Sequence, residues 1–424
     1  MERLYDKLKA YSESDFYAFH MPGHKRNKAL LGIELPYDLD ITEIDGFDDL
    51  HHADGILKEE QERAARVFGA EESHFLVNGS TAGILSAVMG CTHRGDKILV
   101  ARHCHKSIYH AIYMNGLVPR YVYPEFDISM HMNGEISKED VAKALAAEPD
   151  IKAVVIVSPN YDGVVSDVKG IAEVAHSYRI PLIVDEAHGP HFGFHPAFPG
   201  RANDLGADVV INSLHKTLPS LTQTAILHIN GKLANRRRIK KYLDMLQSSS
   251  PSYIFMASLD ACVDFLDGKC EEAFELYVER LQKVREELKP LQHLQILRTE
   301  HYDISKVVIS TANANITSPE LAGRLRKEYH LEMEMTGGTY VLAMTTVADT
   351  QEGLDRLKSA LLEIDDQLEA KTAVSGSIEI SGELPRLEQY FTPQEAAERE
   401  EDGEAEEIPW KESEGPISLE YAYL

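Results

Sequence analysis

A chain of 424 residues with 43 Lys and Arg against 69 Asp and Glu carries a formal net charge of −26. That balance argues against nucleic acid or an anionic membrane as the main partner, since both require a basic face. The length allows two or three units and a core that stands without disulfides or metals. The four scattered cysteines, Cys91, Cys104, Cys262 and Cys270, form no CxxC pair and point to a reducing cytoplasm.

The segment Met1 to Lys9 is charged and amphipathic rather than an apolar signal core, and no apolar run is long enough to span a bilayer. The first fifty residues read as an irregular arm. From about Asp54 the pattern becomes regular: a helix over Glu59–Phe68, a strand over Ser73–Val77, a turn at Asn78-Gly79-Ser80-Thr81 and a helix over Ala82–Gly90. Short apolar runs follow at Lys97–Ala101, Ala153–Val157, Pro181–Val184 and Asp208–Ile211, with helical stretches such as Val168–Tyr178 between them. Short apolar strands alternating with helices predict a parallel sheet covered on both faces. A long helical region is expected over Tyr253–Leu291. Strands at Gln295–Arg298, Ile304–Ser310, Glu332–Met335 and Tyr340–Met344, with helices at Pro319–Tyr329 and Thr350–Glu369, then predict a smaller α+β unit. In the tail, eight of the thirteen residues from Glu395 to Glu407 are acidic, a composition expected to stay solvated or disordered. The division expected is therefore an arm (1–53), a large α/β domain (54–265), a small α+β domain (266–370) and an acidic C-terminal region (371–424).

An open parallel sheet places its site at the carboxyl ends of its strands, and three sequence features fall there. In Ile183-Val184-Asp185-Glu186-Ala187-His188 an apolar strand delivers a carboxylate. Alone such an Asp also serves as a helix cap, but a carboxylate there can hold a pyridine nitrogen protonated. In Val209-Val210-Ile211-Asn212-Ser213-Leu214-His215-Lys216-Thr217 a strand runs into a hydroxyl, an imidazole and a lysine. The segment is apolar on both sides, so Lys216 is expected to lie inward, where desolvation makes it a nucleophile toward aldehydes. Asp185 and Lys216 are 31 residues apart, enough for one crossover between neighbouring strands. Asn78-Gly79-Ser80-Thr81-Ala82-Gly83 before a helix offers backbone N–H groups and two hydroxyls to a phosphate, although Ser and Thr are also ordinary helix caps. It is neither a Walker loop nor a dinucleotide fingerprint. A softer feature is Arg102-His103-Cys104-His105-Lys106-Ser107, in which His105 is placed to stack on an aromatic ring. Together these features describe a site for an aromatic aldehyde phosphate. A rival metal site built from His103, His105, His188, His191 and Asp185 leaves Lys216 and the phosphate cradle unexplained.

Six stretches carry a resemblance: Phe19-His20-Met21-Pro22-Gly23-His24-Lys25, Asp48-Asp49-Leu50-His51-His52, Asn78-Gly79-Ser80-Thr81, His103-Cys104-His105-Lys106-Ser107, Asp185-Glu186-Ala187-His188 and Ser213-Leu214-His215-Lys216. Over residues 1 to about 395 the chain resembles the bacterial ornithine/lysine/arginine decarboxylases, pyridoxal-phosphate (PLP) enzymes of fold type I. The resemblance implies an aminotransferase-like large domain with a mainly parallel sheet and a smaller α+β domain. It also implies PLP carried as a Schiff base on Lys216, with Asp185 on the pyridine nitrogen and His105 on the ring face. Ser80, Thr81, Ser213 and His215 are implied at the phosphate, and His188 beside the ring. The implied reaction converts arginine, lysine or ornithine to an amine and CO2, with His215 or Lys216 returning a proton to Cα. The implied assembly is a homodimer or larger, with Ser249–Tyr253 contributed to the neighbouring site. Glu43, Asp45, Asp48 and Asp49 are the candidates for the substrate's distal cation. Relative to the family the C-terminal region is expected to be shortened. Transamination, β-elimination or a homologue without turnover are the alternatives within the same fold.

Overall fold

The computed structural model describes residues 3–30, 32–127, 132–297, 301–370 and 391–401. Its centre is a seven-stranded sheet. Strands β1 (Glu72–Leu76), β2 (Lys97–Ala101) and β3 (Val118–Val122) come first, followed by a short hairpin of β4 (Phe126–Asp127) and β5 (Met132–Asn133) outside the sheet. Strands β6 (Val154–Val157), β7 (Leu182–Asp185), β8 (Val209–Asn212) and β9 (Ala225–Ile229) complete it. The spatial order is β1-β9-β8-β7-β6-β2-β3, and only β9 runs against its neighbours. The carboxyl ends of β1, β8, β7, β6 and β2 therefore lie along one edge.

This frame is dressed by α1 (Leu4–Ser12), α2 (Ile56–Val67), α3 (Gly79–Cys91), α4 (Lys106–Asn115), α5 (Lys138–Ala147), α6 (Val168–Ser177), α7 (Leu214–Thr217), α8 (Arg236–Leu246) and α9 (Tyr253–Leu266). Strand alternation assigns the two faces. Ile98, Val100, Ile183, Val209 and Ile211 pack under α3, α4 and α8, while Leu99, Val154, Ile156, Val184 and Val210 pack under α5 and α6. Every residue of β6, β7 and β8 is buried, as a parallel sheet covered on both sides requires. Helix α3 approaches α8 so closely that a Cβ on Gly90 would meet Ile239 Cγ1 at 2.5 Å and its backbone nitrogen at 2.9 Å. That contact seats the C-terminal end of α3 on α8, and its start follows directly from the end of β1.

A second sheet, all antiparallel, has the order β10-β11-β13-β12, with β10 at Gln295–Ile296, β11 at Lys306–Ser310, β12 at Met335–Thr336 and β13 at Tyr340–Met344. Helices α10 (Glu271–Glu287), α11 (Ser318–Tyr329) and α12 (Gln351–Asp365) cover it, and a last helix, α13, spans Pro393–Glu401.

Several expectations are corrected by this arrangement. The arm is not irregular throughout: Leu4 and Leu8, four residues apart, are fully buried on α1, and the Leu4 N–H donates to Asp260 Oδ2 on α9 at 3.1 Å. The region Tyr253–Leu291 is not continuous helix, because α9 ends before Gly268, whose φ of +78° suits a residue without a Cβ. Part of the acidic block is ordered. The Thr392 hydroxyl accepts from the Glu395 N–H, while the Glu395 carboxylate accepts from the Thr392 N–H, a capping box that starts α13. The expectations for Arg298 and for the acidic tail beyond Glu401 lie outside the described residues.

Candidate active site

Asp185 is the last residue of β7 and pairs with Ile211 on the neighbouring β8, so the chain leaving β8 passes close beside it. Ser213 follows, and the short helix α7 then carries His215 and Lys216 back over the carboxyl edge. Asp185 is buried, accepts a hydrogen bond from the Ala187 N–H at 3.1 Å and makes no ion pair among the described residues. Burial raises its pKa, opposed by the charge of Lys216, the Ala187 N–H and His105. A buried carboxylate in that condition favours a partner that brings its own proton.

Lys216 is lowered by burial against the pull of the Asp185 and Glu334 carboxylates. Its Nζ lies 2.9 Å from Nε2 of His188, on the loop after β7. Nδ1 of His188 lies in turn 3.2 Å from Nζ of Lys306, the first residue of β11. His215 donates through Nδ1 to the Thr224 carbonyl at 2.8 Å, and burial lowers its pKa. His105 caps α4: its Nδ1 accepts from the Ser107 N–H at 3.3 Å and lies 2.8 Å from the Ser107 hydroxyl. The cap fixes a ring that remains exposed at the open side of the site.

Helix α3 begins at Gly79, earlier than the sequence predicts, so Ser80 and Thr81 sit inside its first turn. Asn78 makes no capping hydrogen bond, and its Oδ1 accepts from the Ser248 N–H instead. The first amides of α3 are thus open to an anion. Ser213 Oγ is buried and has no hydrogen-bond partner among the described residues. An uncapped helix start, an unpartnered buried hydroxyl, an unpaired buried carboxylate and a desolvated lysine fit PLP: phosphate at one end, pyridine nitrogen at the other, aldehyde between.

Other predicted residues are placed elsewhere. The Asp48 carboxylate accepts from the N–H groups of Asp49, Asp54, Gly55 and Leu57 and so caps α2. Asp49 accepts from the His51 N–H and pairs with His52. Both are committed to the arm's own turn. Asp45 is exposed, and Glu43 keeps a buried Oε1 without a hydrogen-bond partner among the described residues. Tyr253 is fully buried and donates to the Asp48 carbonyl of its own chain at 2.6 Å, whereas Ser249 and Ser250 are exposed. His191 bridges Thr217 Oγ1 at 3.0 Å and Asp303 Oδ1 at 3.1 Å, beneath α7. Among the described residues no group of three His, Cys, Asp or Glu is arranged to hold a metal.

The sequence reading missed Lys306, Glu334 and Tyr161. Tyr161 packs against His188, the rings tilted at 57° with centroids 4.7 Å apart, and donates its hydroxyl to Glu334. The one signal for Lys306 was a charge at the head of the apolar strand Val307-Val308-Ile309.

The comparisons with known proteins agree with this geometry. Residues 3–312 match the family model described as Orn/Lys/Arg decarboxylase, major domain. The chain belongs to this family. It is 34% identical to the arginine decarboxylase of Bacillus subtilis over 99% of this chain and 88% of that one. Among solved structures, the lysine decarboxylase LdcF of Francisella novicida superposes with a TM-score of 0.74 at 20% identity, over 86% of this chain. The chain spans 60% of that enzyme's length. Alanine–glyoxylate aminotransferase from Nostoc sp. matches at 0.59 over 73% of this chain. The fold is that of fold type I PLP enzymes, as expected from the sequence.

One electrostatic consequence can be measured. Glu186, next to Asp185, is buried, and its pKa is pushed up to about 8 by burial against hydrogen bonds from Asn212 and the Ala202 N–H. Folding thus favours its neutral form. The stabilisation is complete below the ordinary glutamate value and is lost as the pH rises through about 8. Asp185 acts in the same direction. Compared between the native cofactor-free chain and Glu186→Gln, urea unfolding should show this group's own contribution declining from pH 5 to 8 by on the order of a few kcal/mol, set against a rise from the buried histidines His103, His188 and His228, whose pKa values burial lowers. In Glu186→Gln much of that decline should vanish; an unchanged slope would contradict the assignment.

Proposed function

We propose that this chain removes the α-carboxylate of a basic amino acid as CO2, with PLP bound on Lys216 and arginine as the substrate. The observation that carries the reading is Asp185, buried at the end of β7, facing Lys216, half-buried on the short α7 that follows the adjacent β8, beside an uncapped α3. Family membership supports the reaction class, and the full-length similarity to an arginine decarboxylase favours arginine.

When bound, PLP supplies a protonated pyridine ring that accepts the electron pair left as the Cα–carboxylate bond breaks. The protein's own groups make that possible. Asp185 offers a buried carboxylate to the pyridine nitrogen and holds the proton there. Lys216, whose pKa burial lowers, supplies the attaching nitrogen. The His105 ring, fixed by its cap, would cover one face of the cofactor. Ser80, Thr81, the first amides of α3 and Ser213 hold the phosphate, with His215 beside them. Lys216 and His215 remain the candidates for the proton returned to Cα, and the hydrogen bond between Lys216 and His188 gives the lysine a partner for proton exchange.

Glu334 is the proposed partner of the distal cation. Its carboxylate acts on both Lys216 and Lys306, and the Tyr161 hydroxyl steadies it at the mouth of the site. A guanidinium can take a carboxylate with two parallel hydrogen bonds. Carboxyl-labelled arginine should release labelled CO2 from the purified protein with PLP, and Lys216→Ala should lose both turnover and the visible absorbance of the bound cofactor. Glu334→Gln should raise KM for arginine about tenfold with kcat less affected. Keto acid in place of CO2, or full activity in Lys216→Ala, would overturn the reading.

The same reading extends to assembly and organisation. Phe16, Tyr17, Phe19, Met21 and Leu30 of the arm are each more than three-fifths exposed, an apolar surface that suits burial against a second copy of the chain. We infer a homodimer; sedimentation should give twice the chain mass, reduced to one by Phe19→Asp with Leu30→Asp. A monomeric native protein would refute it. The proposed units remain the arm (1–53), the PLP-binding domain (54–265), the small domain (266–370) and the C-terminal region. Among the described residues no helix is long and apolar enough to cross a membrane, and the four cysteines are unbonded, which supports a cytoplasmic location.

A further inference from the structure

Lys306 opens β11 in the second sheet, yet its side chain reaches the site at the edge of the first. It is fully buried, and its Nζ lies 3.2 Å from Nδ1 of His188. The other nitrogen of that ring lies 2.9 Å from Nζ of Lys216. One histidine is thus held between two lysines. Burial, then the charges of Lys306 and Lys216, drives the His188 pKa well below its ordinary value, so the ring is neutral. A neutral imidazole has one N–H and one lone pair. Two ammonium groups cannot both donate to it. One of the two lysines must instead accept the ring N–H on its own lone pair, and that lysine is the free amine.

The surroundings decide which one. Lys306 is faced by the carboxylates of Asp303, Glu334 and Asp162, and burial lowers it only to about 8, which leaves it an ammonium at neutral pH. Asp303 stays ionised: it accepts from the Ser305 N–H at 2.9 Å, from the Ser305 hydroxyl at 2.7 Å and bonds to His191. Lys216 is faced by Asp185 and Glu334. Asp185 is itself driven toward its neutral form by burial and holds an ammonium less firmly than Asp303 does. His105 and His215 also face the histidine at the centre and add no acid group.

We propose that Lys306 is a positioning residue: its buried ammonium donates to Nδ1 of His188, the ring presents Nε2–H to Lys216, and Lys216 is thereby held as the free amine that takes up the cofactor. This rests on Lys216 being the cofactor lysine. The charge that sets the state of the first domain's lysine comes from the second sheet, so packing of the two sheets and readiness of the site are one event.

The test is competitive labelling of the full-length, cofactor-free chain with dinitrofluorobenzene across pH, read by peptide mass spectrometry, with exposed Lys143 as internal reference. Lys216 should label with a midpoint below that of Lys143. Lys306→Met should move the Lys216 midpoint up by about one pH unit, a tenfold loss of labelling below the midpoint, and Lys306→Arg, which keeps the cation, should restore it. A midpoint unmoved in Lys306→Met, or moved as far in Lys306→Arg, would overturn the proposal. Should Lys306→Met not fold, NMR of isotope-labelled histidine in the native chain decides: His188 is expected as the Nε2–H tautomer, and the Nδ1–H tautomer would refute the assignment. Neither readout needs turnover, so a protein that releases no CO2 would defeat the proposed reaction while leaving this result to stand.

Discussion

Charge buried at the carboxyl edge of a parallel sheet is the constraint on which the site depends. Asp185, Glu186, Lys216, His188 and Lys306 are withdrawn from water within a few residues of strand ends whose cores are entirely aliphatic. Isolated, each would shift toward its neutral form. The sheet register brings Asp185 level with Ile211, so the acid and the lysine face the same space without forming a direct ion pair among the described residues. A satisfied pair there would have left nothing for a ligand to bind. Instead the site holds a carboxylate short of a cation and a lysine whose hold on its proton burial weakens, a preorganised polarity suited to a molecule with a basic ring nitrogen at one end and a carbonyl near the other.

Much of this was legible in the sequence because it is local. An aliphatic strand that ends in a carboxylate, and another that ends in Ser-x-His-Lys, declare both their burial and the edge they reach. The cradle before α3 was legible for the same reason, although the helix begins three residues earlier than predicted and so draws Ser80 and Thr81 into the first turn. Lys306 and Glu334 were not legible. Lys306 opens a strand of the second sheet and Glu334 directly precedes another, each more than a hundred residues from Asp185, and nothing local distinguishes a lysine or glutamate there that faces the site from one facing bulk water. The acidic arm residues illustrate the converse. Their local chemistry suggested a cation site, but Asp48 and Asp49 spend their oxygens on the backbone N–H groups of the following turns.

The helices follow the same division. Leu4 and Leu8 lie on one face of α1, and the N–H of Leu4 is tied to Asp260, itself close to Arg63 and Glu60 in a buried charge cluster. The amphipathic spacing was visible, yet the partner that makes docking favourable lies on α9. Likewise α13 forms within a strongly acidic block because Thr392 and Glu395 supply a capping box that composition alone does not weigh.

The central claim is that Lys216, rather than its buried neighbour Lys306, carries the cofactor. Borohydride reduction of the PLP-loaded protein, followed by peptide mapping, tests it most directly. The account predicts a stable pyridoxyl group on the peptide containing Lys216 and none on that containing Lys306. A label on Lys306, or no label on either lysine, would contradict it.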